Sequence, residues 1–148
     1  MTLVLAFGNP LRGDDGVGPE VGRRVAATGA VVEVVTPLQL LPEHAAQVAA
    51  ADRVIFVDAA VGRQAGEVVT IALQAAPTVR VDHALTPAAI LTLARDLYDA
   101  RPPAWIVQVH AAHFTTGAPL SAAVAAAIPR AINAVLALLP QPHHTPPR

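Results

Sequence analysis

The sequence predicts a three-layer α/β sandwich, in which a mostly parallel sheet of five strands, one of them antiparallel, lies between helices on both faces. Two observations support this fold class. Short apolar runs that end near glycine or proline alternate with helical patterns along most of the chain, the order that is typical of parallel sheets. The 148 residues are 53% hydrophobic, which is enough for one domain with its own core.

The first half of the chain alternates strand and helix. Residues 3–7 form an apolar run that ends at a glycine, which predicts a buried strand. Residues 17–27 carry valines at fourfold spacing, which predicts a helix. A second strand is predicted over residues 31–35. A second helix is predicted over residues 41–51, with Pro42 in its first turn.

The middle of the chain contains the next two strands. Residues 53–61 form an apolar run around Asp58, which predicts the third strand. Residues 66–73 follow after a short turn that contains glycine. A connection of that length favours a hairpin, so we expect this fourth strand to pair with the third and to be antiparallel.

The last part of the chain adds one strand between two helices. A helix over residues 86–100 is predicted to begin with Thr86 as its N-cap and Pro87 at its first position. Residues 104–110 predict the fifth strand. The final helix is expected to run from the cap Ser121 to about residue 139, with Pro129 interrupting it.

The domain organisation is simple. We expect residues 1–140 to form a single domain. Residues 141–148 are rich in proline and poor in apolar residues, so we expect a disordered tail.

Composition excludes several classes of function. The chain has no cysteine, so disulfides, thiolate metal sites and cysteine nucleophiles are ruled out. The net charge of −1 gives no basic surface for nucleic acid or an anionic membrane. The N-terminal apolar run is too short for a signal peptide or a membrane span, so we expect a cytoplasmic protein. The only serine is a predicted helix cap, which disfavours a Ser/His/Asp protease.

Three groups of polar residues fall where parallel strands end. Asp14 and Asp15 follow the first strand, Asp58 ends the third, and His83 precedes the third helix. In open α/β sheets, functional residues gather beyond the carboxyl ends of the strands. If the first and third strands are neighbours, Asp15 and Asp58 face one crevice. Asn9 lies between the first strand and the acidic pair, and we expect its side chain to brace this loop by hydrogen bonds.

Two adjacent carboxylates repel each other unless a cation joins them. A divalent cation held by Asp15 and Asp58, with a neutral imidazole from His83, would have three protein ligands and open positions for water or a partner. Oxygen and imidazole donors suit zinc, nickel, manganese or iron. His110 and His113 flank the end of the fifth strand, either as a second source of ligands or as residues that line the cleft or merely pack. Asp14 is open to interpretation as a helix cap.

The segment "GNPLRGDDGVG" resembles the first motif of the hydrogenase maturation proteases, which trim the C-terminus of the large subunit of nickel–iron hydrogenases. The resemblance continues through "QLLPE", "VIFVDAAVG", "DHALTPAAILTLAR" and "GAPLSAAVAAAIPRAINAVLALL", over residues 3–139. It implies a twisted five-stranded sheet between helices. It also implies that two acidic residues and one histidine contact nickel, which by motif are Asp15, Asp58 and His83.

The resemblance therefore predicts a metal-recognising, aspartic-type endopeptidase. Its catalytic and metal-contacting residues would be Asp15, Asp58 and His83, and its partner would be the large-subunit precursor of a hydrogenase. Nickel would be carried by that substrate, and other divalent cations could substitute. A monomer is expected, and Asp14 is one candidate for the general base. The alternatives are a nucleotide- or metal-binding α/β module and a nickel-sensing chaperone that does not cut.

Overall fold

The computed structural model describes residues 1–79 and 85–141. Its five strands are β1 (Thr2–Ala6), β2 (Val32–Val35), β3 (Arg53–Ala60), β4 (Val68–Leu73) and β5 (Ala104–His110). Its four α-helices are α1 (Val17–Ala27), α2 (His44–Ala50), α3 (Pro87–Tyr98) and α4 (Ala122–Ala137), and a short 3-10 helix covers Gly13–Gly16. The predicted tail lies outside the described residues from residue 142 onward, and the domain boundary at residue 140 stays a prediction.

The strands form one sheet in the order β2-β1-β3-β5-β4. The pairs of β1 with β2, β1 with β3 and β3 with β5 are parallel, and β4 pairs antiparallel with β5. The predicted fold class and the predicted contact between the first and third strands are therefore confirmed. The predicted hairpin is wrong, because β4 pairs with β5 instead of β3. Because β5 lies next to β3 in the sheet, β4 lies beyond β5 and forms the edge of the sheet.

Helices cover both faces of the sheet. On one face, valines and alanines of α1 and α4 pack against Val4, Ile55 and Val57. On the other face, residues of α2 and α3 pack against Leu5 and Phe56. Because side chains alternate between the faces of a strand, both faces of the central strands are apolar, as in other parallel sheets.

Two predicted helix details need correction. The second helix begins at His44, three residues later than predicted, because the residue before a proline is disfavoured in helical geometry and Leu41 precedes Pro42. The fourth helix is not interrupted at Pro129 and continues to Ala137. Pro129 lies on its exposed face, where a carbonyl without an intrahelical partner can meet water.

The N-caps Thr86 and Ser121 are confirmed, since each side chain accepts a backbone N–H of the first turn.

No helix of residues 1–79 or 85–141 has the length and apolar character that a membrane crossing needs.

Candidate functional site

A cleft of about 670 Å³ opens at the carboxyl ends of β1 and β3. The chain leaves β1 toward β2 on one side, while β3 lies on the other side, so this is the switch point of the sheet order. Both Asp15 and Asp58 line the cleft. The predicted crevice therefore contains two of the three predicted site residues.

Asp58 follows the four consecutive buried residues of β3, 54–57, and its side chain lines the cleft. It follows Val57 and shares the sheet face of Phe56, toward α2 and α3. Its carboxyl group is largely removed from water, and Asp15 adds a second negative charge nearby. Burial, and then the charge of Asp15, raise the pKa of Asp58 to about 7. A cation placed between the two side chains would relieve both effects.

Asp15 is held by the loop between β1 and α1. The backbone N–H of Asn9 donates to Asp15 Oδ2 at 2.7 Å, and Asn9 Oδ1 accepts the N–H of Leu11 at 2.9 Å. The expectation that the Asn9 side chain braces this loop is thus confirmed. Gly8 has a φ of +150°, and a Cβ there would lie 2.0 Å from the carbonyl oxygen of Asp15. Only glycine allows this close approach.

Asp14 has a different role from either one predicted for it. It is fully buried, and its carboxylate accepts the N–H groups of Ala112 at 2.8 Å, His113 at 3.3 Å and Ser121 at 2.7 Å, as well as the Ser121 hydroxyl at 2.9 Å. Burial alone would raise its pKa, but these hydrogen bonds together lower it. Asp14 does not line the cleft or cap α1, so the interpretations as a general base and as a helix cap are wrong.

His83 lies outside the described residues, so its predicted role stays a prediction. Leu85, two residues later, lines the cleft beside the two carboxylates. Among residues 1–79 and 85–141, no three histidine, aspartate or glutamate side chains are placed to hold a metal ion together. The described part of the site is therefore an acidic pair.

Neither His110 nor His113 lines the cleft. The His110 ring packs against Gly62, and its Nδ1 lies 3.5 Å from a carboxylate oxygen of Glu67. His113 Nδ1 accepts the N–H of Thr115 at 3.3 Å. Of the interpretations considered for these histidines, as ligands, as cleft lining or as packing residues, the structure agrees with packing.

About half of the cleft wall is apolar, which the sequence motifs for chemically active residues did not indicate. The apolar side chains belong to Phe7, Leu38, Leu40, Leu41, Ala59, Leu85 and Phe114. Arg12 is the only basic residue among the described residues that line it. One signal was available in the sequence: "TPLQLLP", residues 36–42, carries no charge although it connects a strand to a helix.

The chemistry of the cleft favours a cation. Two carboxylates meet at the point where many α/β proteins present backbone N–H groups to a phosphate. They repel phosphate, and their oxygen atoms are ligands for a divalent ion. Apolar side chains, among them Leu38, Leu41 and Phe114, line the same cleft as this acidic centre.

Comparison with known proteins agrees with this description. A family model described as hydrogenase maturation protease matches residues 35–138, which is more than half of the chain. That range includes Asp58 and His83. No curated protein sequence matches the chain significantly.

Several solved structures are similar to the chain over most of its length. The NiFe hydrogenase maturation protease HybD from Thermococcus kodakarensis shares 26% identity over 93% of this chain and 97% of its own, with a TM-score of 0.71. The hydrogenase maturating endopeptidase HybD from E. coli shares 21% identity over 92% of this chain and 90% of its own, with a TM-score of 0.73. The maturation protease HycI from Thermococcus kodakarensis KOD1 shares 20% identity over 90% of this chain and 88% of its own, with a TM-score of 0.70.

Proposed function

Because this chain belongs to the hydrogenase maturation protease family, we propose that Asp15, Asp58 and His83 contact nickel already present in its substrate. The enzyme is an endopeptidase that removes the C-terminal extension of a hydrogenase large subunit. It acts on the precursor as a monomer in the cytoplasm, with neither nucleic acid nor a membrane as a partner. The observation that carries the proposal is the pair of carboxylates at the switch point of the sheet.

The raised pKa of Asp58 supports contact with a metal. A carboxyl group whose pKa is about 7 is half protonated at neutral pH, because burial and Asp15 disfavour its charge. A divalent cation brought in by the substrate supplies the missing positive charge. The substrate without nickel offers no such compensation, so the acidic pair favours a loaded precursor over an empty one.

The position of His83 in the chain supports its role as the third ligand. It precedes Leu85, which lines the same cleft, and it follows β4 in the connection to α3. A neutral imidazole completes the oxygen and nitrogen donor set that nickel accepts.

Hydrolysis follows from the same arrangement. Asp15 and Asp58 would hold the nickel of the precursor so that the adjacent peptide bond lies in the cleft. The cation would polarise the scissile carbonyl or lower the pKa of an attacking water. The two carboxylates contribute the acidic centre of an aspartic-type site, and cations similar to nickel can substitute.

The test replaces each carboxylate by its amide. Asp58→Asn and Asp15→Asn should each reduce processing of a nickel-loaded precursor by at least about 100-fold, because a ligand charge is lost with little change in size. Intact mass of the precursor before and after mixing measures the cut. The matched control is Asp96→Asn on the exposed side of α3, which should process normally.

Normal processing by both site variants would refute the assigned roles. Binding of the precursor by the wild type without any cut would instead favour the nickel-sensing chaperone.

A further inference from the structure

We infer that the cleft continues into an apolar docking surface for the precursor polypeptide on either side of the nickel. This apolar rim consists of Leu38, Leu41, Leu85 and Phe114. The inference rests on the proposed function and adds the chemistry of the segment that the enzyme recognises. That segment carries apolar side chains and no carboxylates next to the scissile bond.

The first argument is exposure at the site itself. Leu38 is 65% exposed and Leu41 is 37% exposed, yet both line the cleft that contains Asp15 and Asp58. A single exposed leucine is ordinary on a protein surface. Here several apolar side chains line one concave site together with two carboxylates, and clefts of this kind are where proteins bind their ligands.

The second argument is that the loop is fixed. The carbonyl of Pro37 accepts the N–H of Gly8 at 3.1 Å, which ties the loop to the segment that holds Asp15. Leu40 is buried in the core under α2 and α3. The N–H of Leu41 donates to His44 Nδ1 at 2.9 Å. The exposed leucines lie between these anchors, so they are already ordered before any partner binds.

The third argument is charge. Residues 34–42 contain no charged side chain, and the described cleft lining has two carboxylates against one arginine. A partner with an acidic residue beside the metal would meet repulsion from Asp15 and Asp58. A partner with apolar residues there would cover Leu38 and Leu41 and remove them from water. Because this surface is already ordered, binding does not require the enzyme's loop to lose further conformational freedom.

The experiment compares leucines that are equally exposed. Leu38 and Leu97 are each 65% exposed, but Leu97 lies near the end of α3, roughly 16 Å along the helix from its N-cap beside the cleft. Processing of the nickel-loaded precursor is followed by intact mass over a range of precursor concentrations. Thermal unfolding and Ni²⁺ binding are measured for each variant.

Leu38→Ser combined with Leu41→Ser should raise KM by about 10-fold and leave kcat within about 2-fold, because both leucine side chains serve binding of the precursor and not the chemical step. Ni²⁺ binding should be unchanged. Leu97→Ser should match the wild type. Leu38→Met keeps the side chain apolar and should retain most of the affinity.

Two results would overturn the inference while the proposed function stands. One is a KM for the double variant equal to that of Leu97→Ser. The other is a rise in KM with Leu38→Met as large as that of the double serine variant, since apolar character would then not be what the partner recognises. Absence of any cut by the wild type would instead refute the proposed function, and the inference with it.

Discussion

At the residue scale, Asp14 and Asp15 show how one chemical group takes opposite roles. Hydrogen-bond donors surround the Asp14 carboxylate, so its pKa is lowered and its negative charge is stabilised inside the protein. Asp15 accepts the N–H of Asn9 and turns to the cleft, where it helps to raise the pKa of Asp58. Two identical neighbours in the sequence thus differ through their hydrogen-bond partners.

The raised pKa of Asp58 predicts a pH dependence of stability. The folded protein holds this proton up to about pH 7, whereas the unfolded chain releases it near pH 4. The folded state therefore binds more protons in this window, and its stability falls as pH rises from about 4 to 7. Asp58→Asn should remove this fall, which amounts to roughly 3 kcal/mol in the free energy of unfolding.

Urea unfolding of the wild type and of Asp58→Asn at pH 5 and pH 8 measures the difference. The lowered pKa values of Asp14 and Glu20 act in the opposite sense, but their contribution is lost only as pH falls below about 4.5. Equal pH dependence in the two proteins would contradict a pKa near 7 for Asp58.

At the scale of elements, the Asp14 carboxylate joins three segments. It lies in the 3-10 helix and accepts hydrogen bonds from the loop after β5 and from the N-cap of α4. Antiparallel pairing of Arg12 with Thr116 adds to the same junction. One wall of the cleft, which includes Phe114, is fixed in this way relative to Asp15.

Asp14→Ala should lower the free energy of unfolding by about 3 kcal/mol or more, because it leaves buried N–H groups without an acceptor. Processing should also fall at temperatures where the variant is folded, since the wall and Asp15 lose their common support. Thermal unfolding and intact mass give the two readouts. Asp96→Ala on the outer side of α3 should change stability by less than about 0.5 kcal/mol. Equal stability of the two variants would contradict the role of Asp14 at this junction.

At the scale of the whole molecule, binding of a cation and folding are linked. Ni²⁺ that binds only the folded protein should stabilise it by about 2.7 kcal/mol at a concentration 100 times its Kd. The rise in Tm should be absent in Asp58→Asn. It should be larger at pH 8 than at pH 5.5, because the metal must displace the Asp58 proton at the lower pH. A shift in Tm that is independent of both pH and Asp58 would place the metal elsewhere.

The sequence was enough to predict the fold class, because the alternation of apolar strands and helices is a local signal that extends along the chain. It was enough to place Asp15 and Asp58 in one crevice, because strand ends in a parallel sheet share an edge. It did not predict the partner of β4, since a turn signal says nothing about β5, thirty residues later. The role of Asp14 was also hidden, because its partners are about one hundred residues away.

That distance along the chain has a consequence for biosynthesis. Asp14 emerges from the ribosome 107 positions before Ser121. Until the segment around Ser121 has been translated, a carboxylate destined for the interior remains in water with its bonds unmade. A nascent chain therefore acquires a finished cleft only after the segment that begins α4 has been made, and proteolytic competence cannot precede that helix.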